Sequence, residues 1–406
     1  MRKIFDFLKK KPKNKVEITP EQEAVMWKNA DVNSSMLLSS TYYACMQIRC
    51  NALAKMPIKI LKRDENGTQP QTDLQLYELL KNRPNRFVNA HDFIWATEFF
   101  RLEYGDAYWI KDFYKGEIIA LYLLDSRNVE IVYDNIGILS SNKMVYYLYH
   151  DPCYGQVIYT EDEIVHLKNY SLDGIKGRGI KKYLVDTINT EKSGQNVLKE
   201  RYDKGLQDPL VVTYTGDLSP NLRNKIQKKF ESIGGTSSAG KVIPIPADYK
   251  VEQLETKLVN SQFFELQELT TRRIANAFGI KSFQLNDMSK STYSNIVEQN
   301  KAFYSDTMQN VITTYEQEIA YKLLTSEQRK NGLFAHFNAD VMLRSDILSR
   351  YQAYQIAIQT GFESIAEVRK SEDLPYIEGT DKLIIGNGAS IPFSDLGKQY
   401  TKGGES

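Results

Sequence analysis

Between Ser261 and Leu324 the sequence reads as a helix, a short irregular loop and a much longer helix. Leu266, Leu269, Ile274, Ala277 and Phe278 carry the first, and Gly279 stands where a helix C-cap belongs. The break that follows, GIKSFQLNDMSKSTYSN, is rich in Gly, Ser, Thr, Asn and Asp. Beyond it, Tyr293, Ile296, Val297, Phe303, Met308, Val311, Ile312, Tyr315, Ile319 and Leu323 recur as an apolar helical face, and no Pro or Gly interrupts them. The pattern predicts one uninterrupted helix of roughly 30 residues, about 45 Å long at a rise of about 1.5 Å per residue. Such a strut exceeds ordinary globular helices, so other parts of the chain or neighbouring subunits must cover it.

Helices and short strands alternate in blocks over the rest of the chain. Ala44, Ile48, Ala52 and Met56 keep helical spacing up to Pro57. PIKILKR then reads as a strand and ENGTQP as its turn. Short helices are predicted at Leu76–Leu80 and His91–Leu102. From DAYWIKDF to DEIVHL, six short β-branched or aromatic runs predict a twisted sheet with an aromatic core. An aromatic platform for stacking bases is the alternative, but no basic groove accompanies it. The glycines of SLDGIKGRGI suggest either a phosphate-cradling loop or a plain strand-to-helix turn. The Gly-Lys-Ser/Thr of a phosphate-binding loop is absent. A helix follows over Lys181–Asp203.

A compact β-α-β-β unit is predicted next: LVVTY, a helix capped by Ser219 and Pro220, then GKVIPI and YKVEQL. Arg223, Lys225, Lys228 and Lys229 give that helix a basic side, which is either an ordinary solvated face or a docking surface. After Leu324 come a strand at GLFAHFNAD, a helix capped by Ser345, and a capping box at Ser364–Glu367. This order of elements is α+β.

The 406 residues allow two or three domains, and the net charge of +1 gives no global attraction to nucleic acid. A high-affinity DNA clamp is therefore disfavoured. The three cysteines, Cys45, Cys50 and Cys153, read as small buried hydrophobes in a reducing interior, not as a disulfide framework. No apolar run reaches bilayer length. The basic N-terminus is either a solvated arm or a short membrane-surface helix. His91, His150, His166 and His336 are scattered without metal or catalytic spacing, and His166 reads as a structural strand residue. No catalytic residue, metal or cofactor is expected.

The blocks TTRRIANAFGIKSFQLND and STYSNIVEQNKAFY, with YYACMQIRCNALAKMPIKIL, DEIVHLKNYSLDGIKGRGI and FNADVMLRSDILSRYQAYQIAIQTGFESIAEVRKSEDLPYIEG, occur in an order that resembles the tailed-bacteriophage portal protein family. The likeness is to its shorter-chain, siphophage-type branch and covers residues 35 to 380. It implies an α/β wing (35–178), a first stem helix (179–205), a clip (206–256) and a second stem helix (257–279). A tunnel loop (280–293), a long helix with a wing strand (294–340) and crown-like helices (341–383) follow. A flexible arm (1–34) and a disordered tail (384–406) flank them.

The resemblance further implies a closed ring of about twelve copies at one capsid vertex, through which double-stranded DNA is packaged and ejected. The implied partners are the terminase large subunit, a head–tail connector or adaptor, and a major capsid or scaffolding protein, with no membrane. The implied location is the virion, and the host cytoplasm during assembly. By the same resemblance Lys281, Ser282, Gln284, Asn286, Lys290 and Ser291 lie on the DNA-facing loop, and Arg223, Lys225, Lys228 and Lys229 on the terminase- or adaptor-facing clip. Phe303, Val311, Ile312 and Tyr315 are expected to serve oligomerisation. The competing readings are a head or tail adaptor without a pore, and a DNA-processing enzyme.

Overall fold

The computed structural model describes residues 39–64, 67–133, 145–152, 155–203, 210–214, 220–221, 224–225, 228, 249–253, 258–285, 293–339, 347–372, 374–387 and 389–392. They fall into two compact units, Met1–Asn338 and Ala339–Ser406.

The first unit is built around two helices, α1 (Ser40–Ala54) and α3 (Ala90–Tyr104), which pack on each other. Ser39 and Asn89 cap them by accepting from the backbone N–H of Tyr42 and Asp92. Cys45 and Cys50 are fully buried on α1, as small hydrophobes should be. Burial pushes the Cys45 thiol up to about 12.

Strand β1 (Ile58–Asp64) follows α1, and β2 (Gly67–Pro70) pairs with it, so part of the expected turn belongs to a strand. Helix α2 (Gln75–Lys81) covers β1. After α3 come β3 (Asp106–Tyr114), β4 (Glu117–Leu124), β5 (Val129–Tyr133), β6 (Val145–Asp151), β7 (Gly155–Thr160) and β8 (Ile164–Lys168). They form two antiparallel three-stranded sheets, ordered β4-β3-β8 and β5-β6-β7. Tyr108, Leu124 and Ile164 of the first sheet meet Tyr147 of the second, with Ile131, Tyr149 and Tyr159 packed around them. Tyr108, Tyr147, Tyr149 and Tyr159 therefore fill a core between the sheets, while Phe113, Tyr114 and Tyr133 are exposed.

Helix α4 (Lys181–Asp203) packs against α5 (Leu258–Phe278). Between them in sequence, β9 (Leu210–Tyr214) pairs antiparallel with β10 (Tyr249–Gln253). The expected strand GKVIPI lies outside the described residues.

The long helix differs from expectation. It runs as α6 (Tyr293–Ala302), a π-helical turn at Phe303–Met308, and α7 (Gln309–Leu323). The backbone N–H of Gln309 reaches back five residues to the Tyr304 carbonyl. The physical reason lies in the spacing. At about 3.6 residues per turn, two side chains five apart leave a common face. The wider turn lets both Phe303 and Met308 stay buried. Helix α8 (Ser326–Lys330) then leads to β11 (Leu333–Phe337), which pairs with β1 from Ile58↔Phe337 to Lys62↔Leu333. The first unit is thus closed by a strand that follows its partner by more than 260 residues.

The second unit holds α9 (Ile347–Gln359) and α10 (Ile365–Ser371). The predicted capping box is formed, with Ser364 and Glu367 exchanging both backbone hydrogen bonds. Arg350 pairs with Glu372 at 2.8 Å. Disorder is expected from Ile384 onward, but over 384–392 a hairpin forms instead, β12 (Ile384–Asn387) against β13 (Ala389–Pro392), while residues 393–406 lie outside the described residues. The pairing from Ile384↔Pro392 to Asn387↔Ala389 gives main-chain donors and acceptors their partners. The expected Ser345 cap and Cys153 lie outside the described residues.

Candidate functional site

The base of the loop between α5 and α6 is tied to the π-helical turn. Helix α5 ends in a Schellman motif: Gly279 N–H donates to Asn276 O at 3.0 Å and Ile280 N–H to Ala275 O at 2.9 Å. Gly279 has φ +69°, and a Cβ there would lie 2.5 Å from Thr307 Oγ1. Glycine is therefore required both for the turn and for its approach to the helix. Thr307 Oγ1 donates to Gly279 O at 2.8 Å, and Lys281 Nζ sits 3.2 Å from Asp306 Oδ2. Asp306 is held below the usual carboxylate range by its hydrogen bonds from Ser305 and Lys281. The chain then makes a short 3-10 turn, Ser282–Leu285.

Beneath this anchor lies a buried charge cluster that sequence reasoning missed. Glu98 on α3, 0% exposed, accepts two parallel hydrogen bonds from Arg101, both at 2.7 Å, and a third from Tyr315 Oη on α7 at 3.0 Å. Arg49 on α1 donates from Nη1 to Phe278 O at 2.6 Å, at the carbonyl end of α5. Its Nε lies 3.5 Å from Glu98 Oε1 and has no hydrogen-bond partner among the described residues. Burial pulls the Arg49 guanidinium down, with the Glu98 charge opposing. Burial also works against the Arg101 charge, but Glu98 outweighs it and holds that group above its ordinary value. Burial and then the Glu98 charge push the Tyr315 phenol well up, so it is a donor. The visible sign was Glu98 and Arg101 standing on the apolar stripe of α3, beside Ile94, Thr97 and Leu102.

The segment from β8 to α4 completes the site. Asn169 N–H donates to Gly105 O, and Ile180 N–H to Leu102 O. A Cβ on Gly177 would lie 1.9 Å from Gly105 O, and one on Gly179 2.3 Å from Glu103 O. These glycines of SLDGIKGRGI thus serve backbone-to-backbone packing, and Gly177 N–H donates to Asp106 Oδ1 at 2.7 Å. His166 Nε2 donates to the same Asp106 oxygen at 2.7 Å, leaving Nδ1 to accept from Tyr147 Oη at 3.2 Å. Burial lowers the His166 pKa, and the Asp106 contact opposes without prevailing. The loop itself is clasped by Asp173, whose carboxyl falls to about 2 because the N–H groups of Lys176 and Ile175 and the Ser171 hydroxyl donate to it. A cavity of about 210 Å³ opens where these parts meet, lined by Arg49, Arg101, Tyr170, Asn276, Thr307 and Asn310 among others.

Of the residues expected on the loop, Lys281, Ser282 and Gln284 sit at its base, while Asn286, Lys290 and Ser291 lie outside the described residues. Lys281 is ion-paired, so Asp306 offsets its charge. Lys225 and Lys228 are helical and exposed, and Arg223 and Lys229 lie outside the described residues. Phe303, Val311, Ile312 and Tyr315 need correction as oligomerisation residues. All four are at most 6% exposed within the subunit itself. Helix α7, which carries Val311, Ile312 and Tyr315, packs on β8 and β11. Among the described residues no cluster of His, Cys, Asp and Glu is placed to hold a metal, and no helix is long and apolar enough to cross a membrane.

The family profile described as Phage portal protein matches residues 40–373. The portal protein of Enterobacteria phage HK97 is 24% identical over 377 residues, covering 91% of this chain and 86% of the relative. The probable portal protein of Streptomyces phage phiC31 is 20% identical over 343 residues, covering 82% and 74%. Among solved structures, the neck of a native gene transfer agent particle computed with C12 symmetry aligns with a TM-score of 0.57 at 18% identity, covering 89% of this chain and 96% of that one. An HK97-family phage portal protein from Corynebacterium diphtheriae aligns with a TM-score of 0.54 at 11% identity, covering 77% and 96%.

Proposed function

Because the chain belongs to the phage portal protein family, we propose that it is the subunit of a ring that forms the DNA channel at one capsid vertex. Its role is structural. The observation that carries the reading is the family match over residues 40–373, together with a fold shared with neck and portal structures over most of the chain. In this reading the sheets and helices of the first unit are the wing, α4 and α5 the stem, and the β9–β10 pair part of the clip. The loop after Gly279 points into the channel. The C12 symmetry of the similar neck supports a ring of twelve copies.

The tie of Gly279 and Lys281 to the π-helical turn supports a loop that is held at its root. With Lys281 offset, Lys290 and Asp287 leave the rest of the loop about neutral. Affinity for phosphates rises with the number of charges that neutralise them, so such a collar would guide DNA without trapping it. Exposed Lys225 and Lys228 support a clip that docks an acidic surface of the terminase or a connector during assembly in the host cytoplasm. The test is a negative-stain image and a native mass of the purified chain. A ring with a central hole is expected. A monomer or dimer under all assembly conditions would overturn the channel in favour of an adaptor without a pore.

A further inference from the structure

The cavity between Arg49 and Asn276 has properties that the subunit does not use by itself. Its lining carries three cations, Arg49, Arg101 and Lys168, and one carboxylate, Asp306, while Glu98 is buried against both guanidiniums. The carbonyl end of α5, capped by Arg49, supplies only a partial negative charge. Arg49 is 5% exposed, and its Nε is left without a hydrogen bond among the described residues. A buried donor left unpaired is costly, and one positive charge in excess of the carboxylates adds to that cost.

The rim of the cavity points the same way. Tyr170 has φ +40°, a conformation that a bulky non-glycine residue rarely adopts. It is also 73% exposed, and Leu172 beyond it is 78% exposed. Strain of this kind persists where the surrounding structure enforces it, and it concentrates at functional positions. Here the enforcing contacts are the hydrogen bonds of Asn169 to Gly105 and Arg178 on one side and the Asp173 clasp on the other. The strained backbone turns a large aromatic outward beside a cationic socket. An apolar rim next to a desolvated arginine is the anatomy of a protein–protein contact.

We propose that this surface is a subunit–subunit socket: Tyr170 and Leu172 pack on a second copy of the chain, and an acidic side chain of that copy enters the cavity beside Arg49. The proposal rests on the ring reading above. A second copy is the favoured occupant because a ring needs head-to-tail contacts on every subunit, and a concave socket suits one half of such a pair. A carboxylate is the favoured group because it offsets the excess of Arg49, Arg101 and Lys168 over Glu98 and Asp306 at the cavity.

Two experiments on the assembled full-length chain decide it. First, a benzophenone amino acid at Leu172 is irradiated in the ring, and the products are sized and mapped by mass spectrometry. A covalent pair of subunits is expected. A cross-link within one chain, as to residues 1–38, or none at all overturns the proposal. Second, Asn276, exposed on the cavity wall, is changed to Asp or to Lys. Asn276→Asp should repel the entering carboxylate and raise the concentration at which rings dissociate by about tenfold, with an unchanged circular dichroism spectrum. Asn276→Lys should leave that concentration equal or lower. The same response to both substitutions would overturn the carboxylate. If wild-type chains form no ring, the proposed function fails. If they form rings without the cross-link, only the socket fails.

Discussion

The two ends of α5 follow different rules. In its last turns Ile274 and Phe278 are 0% exposed, Phe278 stacks edge-on against Tyr42 at 5.2 Å, and its carbonyl receives Arg49. Two turns earlier, Leu266 and Leu269 are 42% and 43% exposed, beside Glu265, Gln267 and Glu268, which are also exposed. One helix is therefore open to solvent over residues 265–269 in the single subunit and part of a packed core at Ile274 and Phe278. The later stretch completes its own burial. The earlier stretch leaves apolar surface at Leu266 and Leu269 uncovered.

The comparison breaks most sharply in the packed part of the first unit. Ile312→Asp places a charge at a position 2% exposed, with no partner, and should cost several kcal/mol. The expected outcome is loss of the folded subunit, read as a collapsed near-ultraviolet signal, and not merely loss of the ring. A folded monomer of Ile312→Asp would show that this helix face serves assembly after all.

The next test uses the two ends of α5 directly. Phe278→Ala should destabilise the subunit by about 3–5 kcal/mol, because a buried aromatic leaves a cavity. Leu269→Ala should change subunit stability by less than about 0.5 kcal/mol. It should instead weaken the ring, measured as dissociation on dilution. Equal losses in urea melts of the separated subunits would erase the distinction.

The smallest effect concerns pH. His166 is buried in the first unit with its pKa below the usual value. Its contribution is complete above the unfolded value near about 6.5 and is lost as pH falls, because the unfolded chain then binds the proton more readily. Stability of the first unit should fall below pH ~6.5 with a slope of up to about 1.4 kcal/mol per pH unit. His166→Asn should flatten that slope. The fluorescence of Trp109, buried in the same unit, reports it. An unchanged slope would remove His166 from the account.

The positions of most helices and strands were legible from periodicity and punctuation, because these are local properties. Ser364 with Glu367, Gly279 after Phe278, and Lys181–Asp203 illustrate this. The π-helical turn was half-visible. The five-residue step from Phe303 to Met308 was on the page, but only burial of both side chains shows why the helix widens there. The Arg49–Glu98–Arg101–Tyr315 cluster was not legible. Its members come from three helices that sequence places up to 266 positions apart, and a charge on an apolar stripe does not name its partner.

Taken alone, the sequence determined the α+β order of elements, the stop at Gly279, the ordered blocks that resemble the portal family, and the near-neutral net charge. Each depends on neighbours along the chain or on a sum over it. Only the tertiary structure decided that β11 returns to β1, that Gly177 and Gly179 admit backbone against backbone, and that Phe303, Val311, Ile312 and Tyr315 belong to the subunit's own core. An apolar helical face shows that something must cover it. Which surface does so depends on the closure of distant segments, and hydrophobic burial, being non-directional, leaves no mark of that choice in the local pattern.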